Sequence, residues 1–255
     1  MPSVARGREP PEKGNDLALG PDAPENPRRF YTVADAGASG AGFAVRLDGR
    51  VPRSPGGRPL ILPTRALADL VATEWAAQGE RLAFAAMPAT RLAFAALDGD
   101  AAARGEAVSS IVRYAGADLL CYPAEGPRAL VQRQEIAWPP LLAWARDDLG
   151  LAFVQSQGVV HRPQPPETLT KVAAMAGAMD PFTLAGVAFA AALFGSAILA
   201  LAVWRGRLGG AAAFAASRVD EAFQEEQWGA DADAAARIQR LAADATMAGR
   251  WPAAC

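Results

Sequence analysis

Of the side chains that could do chemistry, histidine is nearly missing, because His161 is the only one in the chain. A Ser-His-Asp relay or a histidine-rich metal site has almost nothing to draw on. His161 itself stands in a Pro-rich stretch that reads as a solvated loop. Cys121 and Cys255 are the only cysteines, and neither has a neighbour at metal-ligand spacing. Two thiols in a chain of 255 residues make no disulfide framework, which fits a reducing compartment. GASGAG, from Gly37 to Gly42, does not sit between a strand and a helix of a βαβ unit, so a loop is expected there. No Walker A sequence is present, and no carboxylate pair stands beside a nucleophile for acid-base work. On these grounds no catalytic residue, metal or cofactor is expected.

Two sets of carboxylates remain. Glu74 falls on the apolar face of a helical pattern and reads as a carboxylate paired with an arginine at the edge of the core. The other set is SRVDEAFQEEQWGAD, Ser217 to Asp231, which when extended to Asp233 holds six acids against Arg218 alone. Wound as a helix, it puts Val219, Ala222 and Phe223 on a face that packs inward. Glu221, Gln224, Glu225 and Trp228 then gather on the opposite face, and Gly229 ends the helix. A charged outer face is usually just solvated, but an aromatic anchor in a polar surround is how many protein-binding hot spots are built. The residues alone leave binding surface and plain surface both open.

The elements that would hold these groups suggest an α+β chain, with a small antiparallel β-rich domain ahead of a larger, mostly helical one. Residues 1–27, rich in Pro and acids, read as a flexible tail, residues 28–80 as the β-rich domain and residues 81–255 as the helical domain. GFAVRLDGRV alternates Phe43, Val45 and Leu47 on one face before an Asp48-Gly49 type I′ turn, and Pro59 to Pro63 gives another short strand. Thr64 looks like an N-cap with Gly79 as the matching C-cap, and Thr90 looks like the cap of a helix after Pro88. Helices are expected over Ala101 to Tyr114 and over Arg128 to Asp148, the latter broken at Pro139-Pro140. Leu151 to Gln155 reads as a strand, and helical periodicity runs from Pro166 to the end.

DPFTLAGVAFAAALFGSAILALAVWRGR raises a separate question, since the twenty-four residues between Asp180 and Arg205 carry no charge. That length reaches the threshold for a membrane-spanning helix. Gly195-Ser196 reads instead as the end of one helix and the cap of the next, with Asp180 capping the first and Pro181 in its first turn. Two buried helices are the expectation, and no stable membrane insertion. The formal net charge of -2 gives no case for nucleic acid. The acidic amino-terminal stretch suits neither a secretory signal nor a transit peptide, so a bacterial cytoplasm is expected.

A series of short motifs adds a resemblance. RRFY at Arg28 to Tyr31, LDGR at Leu47 to Arg50, LPT at Leu62 to Thr64 and EWAAQ at Glu74 to Gln78 come first. MPATR at Met87 to Arg91, DLLCY at Asp118 to Tyr122, GSAILALAVWRGRL and SRVDEAFQEEQWGAD follow in order. Together they resemble the assembly chaperones for the alpha subunit of the F-type ATP synthase, found in mitochondria and some bacteria. The resemblance implies a non-enzymatic protein that binds the unassembled alpha subunit, keeps it from aggregating and yields it to the beta subunit. It also implies a small β-rich domain before a helical one. Residues implicated in function map first to Glu221, then to Asp220 and Asp231, then to Glu225, beside the Gln224 and Trp228 of the same face. A mitochondrial matrix location is the alternative compartment. The uncharged Phe182 to Trp204 segment departs from the family pattern. The rival readings are a small-molecule enzyme with a carboxylate-lined pocket between its two domains, which a pocket with a strongly raised carboxylate pKa at Glu74 would favour, and a membrane-anchored protein.

Overall fold

The computed structural model describes residues 27–40, 42–156, 162–229 and 232–255. Its sheet is a three-stranded antiparallel meander of β1 (Ala34–Ser39), β2 (Gly42–Leu47) and β3 (Ile61–Leu62), in that spatial order. Ala36 pairs with Val45, and Phe43 with Leu62. Val45 and Leu47 are buried, as their alternation requires. Asp48 and Gly49 both take positive φ, 48° and 78°, and the amide of Leu47 donates to the carbonyl of Arg50 at 2.8 Å. This is the expected primed two-residue turn. The Asp48 carboxylate accepts from the amides of Thr32 and Val33, and those bonds hold its pKa below the usual range.

The glycine run is not a loop. Gly37 lies inside β1, Gly40 turns the chain at φ 54°, and Gly42 opens β2. The reason is clearance: a Cβ on Gly42 would stand 2.6 Å from the carbonyl oxygen of Leu62 on the next strand.

Helix α1 (Arg65–Ala76) lies against the sheet, with Leu67, Val71 and Trp75 buried and Thr64 accepting from the amide of Leu67. It stops at Ala77, which stays in the right-handed region, so Gly79 lies beyond the helix end and is not its cap. Helix α2 (Pro88–Asp98) follows, and Thr90 falls within its first turn, not at the cap. Glu74 takes that role from the neighbouring helix. Its carboxylate accepts from the amides of Ala89 and Thr90, both at 2.7 Å, and from the Thr90 hydroxyl at 2.8 Å. The hydrogen bonds come from the start of a helix, whose unpaired amides and positive dipole end favour an anion, and Arg91 adds the charge attraction of the expected arginine. Burial still pushes the Glu74 pKa up against these bonds.

The helical part comprises α3 (Ala101–Gly116), α4 (Arg128–Ala137), α5 (Pro139–Leu149), α6 (Pro166–Gly177), α7 (Pro181–Phe194), α8 (Ala197–Trp204), α9 (Gly210–Ser217), α10 (Val219–Trp228) and α11 (Ala232–Ala254). The break at Pro139-Pro140 is present. The strand expected over Leu151 to Gln155 is absent, because among the described residues no second strand lies beside it. Instead the buried amide of Gln164 binds Val154 at both its N–H and its carbonyl, at 2.8 and 2.9 Å, as a ladder partner would. His161 and residues 1–26 lie outside the described residues.

The uncharged stretch resolves into α7 and α8, broken at Gly195 with φ 63°. Asp180 caps α7 and Ser196 caps α8, as their types suggest. At about 1.5 Å per residue neither helix approaches the roughly 30 Å of a bilayer core. Among the described residues no helix is long and apolar enough to cross a membrane. Every residue from Ala197 to Val203 is at most 4% exposed, so α8 is the hub of the larger of two core clusters. A helix wrapped on all sides by protein has no use for a polar face. The smaller cluster gathers the sheet, α1 and α2 around Trp75 and Met87, and the end of α11 joins it through Met247, Trp251 and Ala254.

Candidate functional site

The acidic segment forms α10, whose first turn carries Asp220 and Glu221, favourably placed at the positive end of the helix dipole. Phe223 is buried at 9% exposure and anchors the helix to α4. The guanidinium of Arg133 lies 5.2 Å from the centre of the Phe223 ring. The same guanidinium donates to both carboxylate oxygens of Glu226, at 2.8 and 2.7 Å. That fork raises the Arg133 pKa and lowers that of Glu226.

Asp220 turns inward. The amide nitrogen of Gln134, a residue only 1% exposed, donates to it at 2.5 Å, while the carbonyl oxygen of Gln134 accepts from the amide of Ala124 at 2.8 Å. Both ends of a buried amide are thus satisfied, one of them by α10. Next to it, the indole N–H of buried Trp138 donates to the carbonyl of Ala216 at 2.9 Å, tying the α4–α5 junction to α9. Glu225 accepts from Arg218 at 2.5 Å, and this pair is half withdrawn from solvent.

What remains outward is a shorter face than the helical wheel suggests. Glu221, Gln224 and Trp228 are exposed, with Trp228 at 80%, while Glu225 and Asp220 are held by Arg218 and Gln134. Asp231 lies outside the described residues. The sequence reading did not single out Arg133, Gln134 or Glu226. Arg133 and Gln134 sit on α4, some ninety residues from α10, where no local spacing reveals their partners. A face of carboxylate, amide and indole offers hydrogen-bond acceptors and one large apolar plate, which suits contact with another polypeptide. Among the described residues no cluster of His, Cys, Asp or Glu is arranged to hold a metal ion.

The family model for the ATP12 chaperone protein matches residues 28–146. The fold continues in solved structures well past that span. The structure of Atp12 from Paracoccus denitrificans is 41% identical, with 88% of this chain and 97% of that chain covered and a TM-score of 0.77. This chain belongs to the ATP12 chaperone family. An aspartate-to-lysine mutant of P. denitrificans Atp12p matches at 39% identity over 89% of this chain and 97% of that one, with a TM-score of 0.78. The protein Atu1473 from Agrobacterium tumefaciens is 39% identical, at a TM-score of 0.81 over 89% of this chain and 86% of that chain. Membership of the ATP12 family gives the chain a chaperone role. Its fold is the one the motifs implied, a small antiparallel sheet followed by helices.

Proposed function

We propose that this ATP12 chaperone binds the unassembled alpha subunit of the F-type ATP synthase, keeps it from aggregating and yields it to the beta subunit, acting in a bacterial cytoplasm. The observation that carries the reading is Trp228, 80% exposed at the end of α10 beside Glu221 and Gln224. A large indole left in water on a helix that is otherwise pinned by Phe223, Asp220 and Glu226 suits a partner's apolar surface. An unpaired subunit exposes the surface meant for its neighbour, which is an aggregation hazard. Its chaperone must cover that surface and still bind more weakly than the final partner. Carboxylates at the rim suit this compromise, because they add steering and selectivity more than raw affinity. In this reading Glu221, Gln224 and Trp228 touch the client. Asp220, Glu225 and Glu226 hold α10 in place.

Burial raises the Glu74 pKa, as the enzyme alternative asks, but the carboxylate is occupied as the cap of α2 and so is not free to act on a substrate. The test is capture of purified alpha subunit by chains carrying Glu221→Lys or Trp228→Ala. Trp228→Ala should weaken capture roughly thirtyfold, the scale of an interfacial hot spot. Glu221→Lys should weaken it several-fold at low salt and less at high salt. If both variants retain the client like the parent at every salt concentration, α10 is not the client face.

A further inference from the structure

The first lobe carries a second candidate surface of opposite sign. A groove of about 750 Å³ opens between residues 27–31, the connection of residues 47–55 after β2, and the ends of α1 and α2. Its walls include Tyr31, Trp75, Phe84 and Phe94, and Phe30 and Val51 stand on it at 70% and 37% exposure. Single exposed apolar side chains are ordinary. Two of them flanking one aromatic-walled groove make a slot for an apolar side chain.

The charges around the groove specify more. Arg50, Arg53 and Asp48 are its charged lining residues. Asp48 is committed to the amides of Thr32 and Val33. Arg53 is steadied by a bond of 2.6 Å to the carbonyl of Gly57 and remains exposed, and Arg50 is exposed with no side-chain hydrogen bond among the described residues. Asp48 keeps its negative charge and attracts Arg50, so two guanidinium groups against one carboxylate leave the rim with a net positive charge. Trp75 adds an unmet need, since its indole N–H is buried without an acceptor. Phe84 stands against that indole, with ring centres 5.8 Å apart and the planes nearly perpendicular.

We infer that this groove takes an acidic segment of the client polypeptide bearing one bulky apolar side chain. The apolar side chain lies against Phe30, Val51 and the aromatic wall, and its flanking carboxylates lie on Arg50 and Arg53. The inference rests on the chaperone reading for the existence of a client, but not on α10. A client held at an acidic helix in one lobe and a basic groove in the other is recognised by its pattern of charge along a surface. Neither site then needs great affinity.

The test uses the full chain and three dye-labelled peptides with a central Phe flanked by Glu, Lys or Gln, with binding read by fluorescence anisotropy. The Glu-flanked peptide should bind about tenfold more tightly than the Lys-flanked one at low salt, and the gap should narrow as salt rises. Arg50→Glu with Arg53→Glu should invert that preference, and Phe30→Ala should weaken all three peptides while leaving the preference intact. Thermal unfolding by circular dichroism establishes that each variant folds, and Arg50→Gln alone, expected to halve the preference or more, replaces the double variant if it does not. Binding by no peptide overturns the inference, whatever fills the groove. So does a Glu preference that ignores the arginine changes, or self-association of the parent chain that the double change abolishes, since that assigns the groove to a second copy. These arms contain no alpha subunit, so they stand or fall separately from capture by α10.

Discussion

A carboxylate sealed inside a protein must either give up its charge or gather donors, and Asp118 is caught between the two. It is fully buried where a 3₁₀ turn, Leu119–Cys121, meets the start of α8. The Ser196 hydroxyl donates to it at 2.7 Å, the amide of Ile198 at 3.0 Å and that of Leu120 at 3.2 Å. Burial outweighs these bonds and drives its pKa up from 3.8 to about 6. The neighbouring Cys121 thiol is pushed up to about 12, first by burial and then by the Asp118 charge, which leaves it inert at neutral pH. Between about pH 4 and 6 the folded protein therefore holds a proton at Asp118 that the unfolded chain has released. The group's contribution to stability is largest below that window and falls as pH rises through 6, by about 3 kcal/mol in all. Asp118→Asn removes this titration and turns an amide N–H₂ toward a donor. Its stability deficit against the parent, measured by urea unfolding, should be greatest near pH 4 and shrink by about 3 kcal/mol toward pH 7. A deficit that stays constant with pH would show that Asp118 titrates normally. Ser196 as a cap was legible from the glycine before it. The carboxylate behind it was not, because Asp118 lies 78 positions earlier in the chain. Glu74 teaches the same lesson. Its place on an apolar face and the nearby charge of Arg91 were readable, but the helix end that supplies its hydrogen bonds was not.

At the scale of elements, local chemistry was readable and cross-chain clearance was not. Thr64, Asp180, the Gly195-Ser196 break and the Asp48-Gly49 turn each act within a few residues of themselves, so their types and order suffice to place them. The segment after Leu151 has the composition of a strand, yet its neighbour is a glutamine side chain. No periodicity within that segment tells the two apart. Glycine shows the contrast most sharply. Gly105 in α3 has nothing within 4 Å of where a Cβ would stand, whereas a Cβ on Gly210 would stand 1.9 Å from the carbonyl oxygen of Ala245. Helices α9 and α11 cross there backbone to backbone, with Gly249 on the other side of the contact. Gly105→Ala should raise stability by about 1 kcal/mol through helix propensity alone. Gly210→Ala should lower it by several kcal/mol, because the overlap falls on main chain that cannot rotate away. Chemical denaturation of the two variants side by side checks both signs. Equal effects would mean that the crossing relaxes at little cost.

At the scale of the whole molecule, the two apolar clusters meet along α7, which packs on α2 and also on the last turns of α11. Trp251, 1% exposed, packs against Gly186 of α7, where a Cβ would come within 2.3 Å of the indole. Its indole N–H donates to the carbonyl of Phe182 at 2.9 Å. One turn later the carbonyl of Ala254 accepts from the hydroxyl of Thr64, which is also the cap of α1. The final residues thus fasten α1 and the sheet to α7, and through α7 to the α8 hub. Nothing in the WPAAC terminus announces this role, because it depends on a glycine 65 positions away that the helical pattern treats as a neutral gap. Trp251→Ala should cost about 3–5 kcal/mol through the cavity it opens. The loss should be uneven: amide exchange should accelerate in β2 and α1 well before it does in α8, because α1 and the sheet lose one of their two fastenings to α7 while α8 loses none. Trp251→Phe keeps most of the volume but not the hydrogen bond, so it should cost about 1 kcal/mol and leave the exchange pattern close to that of the parent. Uniform acceleration across α1 and α8 in the alanine variant would mean that the two clusters unfold as one unit and that Trp251 is simply a large core residue. If the acceleration is confined to the sheet and α1, the end of α11 joins the α2–α7 contact in keeping the basic groove and the acidic helix at a fixed separation, as a two-site grip on one client requires.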